Sequence, residues 1–157
     1  PGYTSLQAAE IMLEGRTFEG EPPRYEESRT VIRELPFQVL ACDSASLVSP
    51  TDVGAIIVTG SHGGILAGRP DYGIATKARG AVFNDAGIGI DEAGIQRLKV
   101  LDEAFIPAAV VDSNTACIGD ARSTWVSGVI SYVNRQATKR GITVGMTIPV
   151  FADLLSV

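Results

Sequence analysis

The stretch Gly54-Ala55-Ile56-Ile57-Val58-Thr59-Gly60-Ser61-His62-Gly63-Gly64 decides how this chain is read. Ala55 to Val58 is continuously apolar, rich in β-branched residues and preceded by glycine, the pattern of a strand covered on both faces. Strands of that kind belong to parallel sheets lying under helices. The run then breaks into a glycine-rich turn that carries the single histidine of the chain. Gly60, Gly63 and Gly64 permit positive φ and close approach of backbone to a ligand. The turn is therefore expected to present Ser61, His62 and the amides of Gly63 and Gly64 to a carbonyl or an anion.

Other segments repeat the pattern on either side. Phe37 to Cys42, Ala81 to Phe83, Ala108 to Val111 and Ile142 to Ile148 read as further strands, with Pro36 splitting the β-rich run that begins at Thr30. Thr4 and Gln7 form a capping box ahead of an amphipathic helix from Leu6 to Glu14. Asp91 is placed to cap a helix that turns Ile95, Leu98, Leu101 and Phe105 inward and Arg97, Lys99 and Asp102 outward. A second helix is predicted from about Asp120 to Arg140, with Trp125, Val126, Val129, Ile130 and Val133 inward and Gly141 past its end. A short crossover helix is expected within Ile74 to Arg79, and the apolar tail from Phe151 to Val157 must pack somewhere.

Strands and helices that alternate with short connections favour right-handed βαβ units. The expected fold is α/β: a three-layer, doubly wound, mostly parallel sheet of the Rossmann or flavodoxin kind, in a single domain. Residues 1–29 read as an N-terminal helix and polar arm, the arm suited to wrapping a neighbouring subunit, and residues 30–157 as the α/β domain.

Whole-chain properties narrow the function. A chain of 157 residues suits one domain that needs no disulfide or metal staple. With 13 Lys+Arg against 18 Asp+Glu, scattered along the sequence, the net charge of −5 leaves no footprint for a phosphate backbone, and nucleic acid is not expected as a partner. Cys42 and Cys117 stand in no metal-like spacing and could be two free thiols or one bridge, with reduced thiols of a cytoplasmic protein the preferred reading. No apolar run reaches the roughly 20 residues that span a bilayer, and no membrane partner is expected. Gly60 to Gly64 lacks the lysine of a P-loop and Gly87-Ile88-Gly89 lacks the third glycine of a dinucleotide fingerprint, so no nucleotide cofactor is called for.

In parallel sheets, ligands bind beyond the carboxyl ends of the strands. Four polar pairs succeed the apolar runs: Asp43-Ser44, Ser61-His62, Asn84-Asp85 and Asp112-Ser113. His62 is the candidate general acid or base, because imidazole titrates nearest neutrality. Asp85 or Asp112 would orient it, and Ser61, Ser113 or Ser123 could serve as a hydroxyl nucleophile. Cys117 precedes a helix N-terminus that would lower its pKa, although a buried, inert thiol is the expected state. A histidine after one strand and a cysteine after a later one resembles the order in caspase-like hydrolases, with Asp112 to Ala116 standing here between strand and thiol.

Arg122, in the first turn of a helix, would hold a substrate carboxylate together with Ser123, or pair with Asp120. Asn84 joins the binding set. Asp85, Asp91, Glu92 and Asp120 could hold a hard cation such as Mg²⁺, although Asp91 and Asp120 are better explained as helix caps, and without a second histidine a transition-metal site is not expected. Together these residues predict an enzyme acting on a small anionic metabolite, a hydrolase of an amide, lactam or ester, in a homo-oligomer. A lyase or isomerase would use the same parts, and a non-catalytic binding or scaffold subunit is the rival reading.

Overall fold

A computed structural model describes residues 2–16, 20–21, 25–66, 74 and 77–156. Its centre is one sheet of six strands in the order β1 to β6: Arg29–Arg33, Val39–Cys42, Ile56–His62, Gly80–Asn84, Ala108–Val111 and Ile130–Val133. β2 to β5 are parallel, and β1 and β6 run antiparallel at the two edges. The fold is thus the expected α/β class with a mostly parallel sheet. Each of the four central strands is buried along its apolar run, which is why these runs show no polar alternation.

Alternate residues of these strands feed two cores. Leu40, Ile57, Phe83 and Val110 pack with Leu98 and Leu101 of helix α2 (Arg97–Glu103) and with the 3-10 turn Ala45–Leu47. Val39, Ile56, Val58, Val82, Ala109 and Val111 pack with Ile148, Phe151 and Leu155 at the end of the chain. Crossover handedness accounts for this division. Because β2 to β5 advance in one direction without reversal, crossovers of the usual right hand would lie on one face, and the described turn Ala45–Leu47 and helix α2 pack there. The other face is left for the helices beyond β5, namely α3 (Ala121–Ser127), α4 (Arg135–Thr138) and α5 (Ile148–Leu154). The strand order never reverses, so a switch-point crevice is not part of this sheet, and any site at its carboxyl edge is built by loops.

Several local expectations are corrected. The helix foreseen over 120–140 is three elements: α3, strand β6, and α4 (Arg135–Thr138). Gly128 ends α3, where a Cβ would lie 2.4 Å from Thr124 O, and the β-branched run after it pairs with β5. Val126, expected inward, is exposed. Residues 142–148 form no strand beyond a bridge from Val129 to Thr147. Asp91 caps nothing, since it and Glu92 have φ of 54° and 56°, and the regular helix begins only at Arg97. Arg97 and Asp102, expected outward, are buried, whereas Phe105 is exposed. The first strand is β1, ahead of the run expected to open the sheet. The helix expected near 74–79 lies largely outside the described residues.

Helix α1 (Ser5–Glu14) carries its capping box as foreseen but buries none of its residues. The end of the polar arm folds back on its own domain: the Tyr25 hydroxyl donates to Gly119 O at 2.6 Å, and Ser28 donates to Asp43 through its amide (2.8 Å) and its hydroxyl (2.7 Å).

Candidate functional site

β3 does not stop at Val58 but runs through Gly60 and Ser61 to His62, which pairs with Asn84 after a register shift. Such an irregularity re-aims side chains at a strand end. The glycines here are needed for close approach of protein segments to one another. A Cβ on Gly60 would lie 2.5 Å from Asp120 N and 2.6 Å from Gly119 C, and the Gly119 amide donates to Gly60 O at 2.7 Å. A Cβ on Gly64 would meet Ala93 O at 2.7 Å and the His62 ring at 2.8 Å.

The His62 ring is held by its own turn. Gly64 N–H donates to Nδ1 at 3.0 Å, so Nδ1 is an acceptor and the neutral ring carries its proton on Nε2. Among the described residues, Nε2 has no hydrogen-bond partner. The Gly63 amide donates to Asn84 O at 2.9 Å. Both amides expected to form an oxyanion hole are therefore committed within the protein.

His62 and Ser61 line a cleft of about 390 Å³ with Tyr25, Glu27, Asp43, Ser44, Ile118 and Gly119. Asp43 anchors this cleft. Besides accepting from Ser28, it accepts from the Ala121 amide at the start of α3 (3.0 Å). Burial acts to raise its carboxyl pKa, but the Ser28 hydroxyl and the two amide donors outweigh burial and hold it below the ordinary carboxylate value. Loss of hydration, then the charges of Asp43, Glu27 and Asp120, raises the Tyr25 phenol. Glu27 is the lining carboxylate with no recorded hydrogen bond among the described residues.

A second cleft, of about 510 Å³, collects Asn84, Ser113, Cys117 and Ser123 together with Gly87 and Thr115. Ile118 borders both clefts, so His62 and Cys117 line separate hollows on either side of the 115–119 loop. Cys117 is exposed rather than buried, and its amide donates to Ser123 Oγ at 2.9 Å. Asn84 is fully buried: its Nδ2 donates to Ala116 O (3.0 Å), and its Oδ1 accepts from Ala86 N (2.8 Å).

The carboxylates expected beside His62 are engaged elsewhere. Asp85 is buried, and accepts from the amides of Gly87 (2.9 Å) and Ser113 (3.0 Å) and from the Ser131 hydroxyl (2.8 Å), tying the loops after β4 and β5 together. Asp112 closes a turn on Asn114 at 2.8 Å. Asp120 caps α3 through Ser123 N at 2.9 Å. Arg122 is exposed, lines neither cleft and has no recorded ion pair with Asp120. Among the described residues, no group of three or more His, Cys, Asp or Glu side chains is placed to hold a metal ion, and no helix is long and apolar enough to cross a membrane.

Sequence reasoning missed Tyr25, Glu27 and Arg97. The first two lie in a polar arm with no periodicity to place them. Arg97 stands on a helix whose pattern turned it to solvent, yet its Nη2 donates to Gly64 O at 2.8 Å, directly behind His62. No family model, curated protein or solved structure matches the chain.

Proposed function

We propose that the chain is a small-molecule enzyme, a hydrolase of an amide, lactam or ester, whose substrate carbonyl binds in the cleft of His62. The observation that carries this reading is the Gly64 N–H on Nδ1, which fixes the ring and leaves Nε2–H to a ligand. His62 then enters as a donor. It hydrogen-bonds the carbonyl oxygen as negative charge develops there, while Glu27 accepts a proton from the attacking water and returns it to the departing nitrogen or oxygen as the acyl C–N or C–O bond breaks. Asp43, with its oxygens engaged and its pKa lowered, is the weaker base. The same pair of a carboxylate and a neutral imidazole donor also suits proton abstraction beside a carbonyl, so a lyase or isomerase is the second reading. A homo-oligomer belongs to the proposal as well, because α1 leaves Leu6, Ile11, Met12 and Leu13 exposed for a second copy to cover.

The test is ligand-induced thermal stabilisation against small amides, lactams, esters and hydroxy acids, with product assayed alongside. Removing the donor in His62→Ala is expected to leave binding of a hit but lower turnover by about 10²–10³-fold. His62→Gln, whose amide N–H substitutes for Nε2–H, should retain more activity than the alanine variant. If wild type and His62→Ala bind alike and neither turns the compound over, the binding-subunit reading replaces this one.

A further inference from the structure

A further hollow, of about 530 Å³, lies at the other end of the sheet from His62. Gly54, Arg79 and Pro107 on its wall stand just ahead of β3, β4 and β5, so it opens at the amino edge of the parallel strands, whereas His62 ends β3 at the carboxyl edge. The length of β3, roughly 23 Å at about 3.3 Å per residue, separates the two.

The charge of this hollow is opposite to that of the chain. The net charge is −5, yet Lys77, Arg79, Lys139 and Arg140 all line the hollow, and among the described residues no Asp or Glu does. The ion pairs between described residues involve none of these four cations. Arg79 donates to Leu155 O at 3.0 Å and lies over the Phe37 ring, and Lys139 Nζ donates to Gln136 Oε1 at 3.4 Å. These partners are uncharged. Four like charges round one concavity build a positive potential that an anion relieves. Helix α4 does not account for Lys139 and Arg140, because its last carbonyls already accept from the backbone amides of Lys139, Arg140 and Gly141.

Phe105 adds an aromatic face to the same wall. It is 79% exposed, and its φ of 59° puts it in the left-handed region, at a helix end where glycine is the usual residue. The amides of Phe105 and Ile106 close α2 on Asp102 O and Leu101 O, which any residue's backbone would do. A turn that needs only glycine thus carries a large, uncovered ring.

We infer that this hollow binds a small molecule bearing a diphosphate, of the nucleoside diphosphate class, with its phosphates among Lys77, Arg79, Lys139 and Arg140 and its base stacked on Phe105. The volume suits a ligand of that size. A single carboxylate would leave most of the positive charge unanswered, and four cations confined to one hollow of an acidic chain suit a small anion rather than a nucleic-acid backbone. Side chains rather than a glycine-rich loop supply the charge, which is why no phosphate-binding motif marks the site in the sequence. The site is separate from the proposed reaction and does not rest on it.

The test is calorimetric titration of the full chain with inorganic pyrophosphate and with adenosine diphosphate, at one fixed salt concentration and without divalent metal. Both are expected to bind saturably at one site, the nucleotide about tenfold more tightly through its stacked base. Lys139→Gln and Arg140→Gln should each weaken both ligands by about tenfold, and Phe105→Ala should remove only the advantage of the nucleotide. Lys139, Arg140 and Phe105 are exposed, so these variants should keep the wild-type melting temperature. Lys99→Gln, the same change of charge on the exposed side of α2, and His62→Ala should leave both affinities unchanged. Absence of saturable pyrophosphate binding, an equal loss in Lys99→Gln, a loss in His62→Ala, or a nucleotide that binds no better than pyrophosphate would each overturn the assignment.

Discussion

Asp43 joins three parts of the fold, and Asp43→Asn isolates what that joint contributes. One carboxylate oxygen takes the Ser28 amide and hydroxyl, and the other takes the Ala121 amide. Asparagine keeps the shape but loses the charge and replaces one acceptor with an NH2 group. Whichever way the amide is turned, a donor faces a backbone N–H. With three hydrogen bonds weakened or lost at a partly solvated site, the cost at neutral pH is about 2 kcal/mol. For a domain of this length that lowers Tm by roughly 4–8 °C.

The pH dependence gives the sharper test. The folded pKa of Asp43 lies below its unfolded value, so the unfolded state binds the proton more readily. The stabilisation is present above the unfolded value of about 3.9 and is lost as pH falls through the folded pKa. The asparagine side chain of the variant does not titrate. The difference in unfolding free energy between wild type and Asp43→Asn, from urea melts, should therefore hold constant from neutrality to about pH 5 and narrow at lower pH. A gap that is absent at neutral pH, or that stays constant into the acid range, would contradict this role of the carboxylate.

Two further outcomes concern buried groups. Asn134 accepts from Ala108 N (3.0 Å) and Ala137 N (2.9 Å) and donates to Ile106 O (2.8 Å), capping α4 while it holds the start of β5. Asn134→Ala leaves these groups buried without partners and should cost about 3 kcal/mol by denaturant unfolding with an unchanged m-value; a loss under about 1 kcal/mol would speak against that role. Native chain should titrate one thiol per molecule with a disulfide reagent, the exposed Cys117, and release Cys42 only on unfolding. Burial pushes the Cys42 thiol up to about 11, so its contribution to stability is lost as pH rises from the unfolded value of about 8.5 through 11; labelling of both thiols at the same rate would refute the assignment.

The parts of the fold that are legible in the sequence are those buried on both faces. Ile56 to Val58, Ala81 to Phe83 and Ala108 to Val111 have no polar neighbour within the run, and only a covered strand tolerates that. The parts that are not legible depend on tertiary contacts. Ile130 to Val133 has the same β-branched content as a buried helical stripe, and only pairing with β5 and the backbone crowding at Gly128 decide for a strand. At the site, His62 is legible from one run of sequence, and Asn84, Ser113, Cys117 and Ser123 do share a cleft. That cleft is not the one containing His62, because a loop folds onto Gly60 between them. Tyr25 and Glu27 come to the cleft of His62, and Arg97 to the Gly64 carbonyl beside it, through contacts between distant segments, for which a single sequence carries no local signal.

The proposed chemistry rests most directly on the state of one imidazole. Because the chain has a single histidine, the ring nitrogens of His62 can be observed by 15N NMR without ambiguity in protein free of an affinity tag. Recorded on the neutral ring, the spectrum should show the proton on Nε2 and an unprotonated Nδ1, the arrangement the Gly64 N–H imposes. A proton on Nδ1 would mean that the Gly64 bond is not made and that the donor assigned to the cleft does not exist.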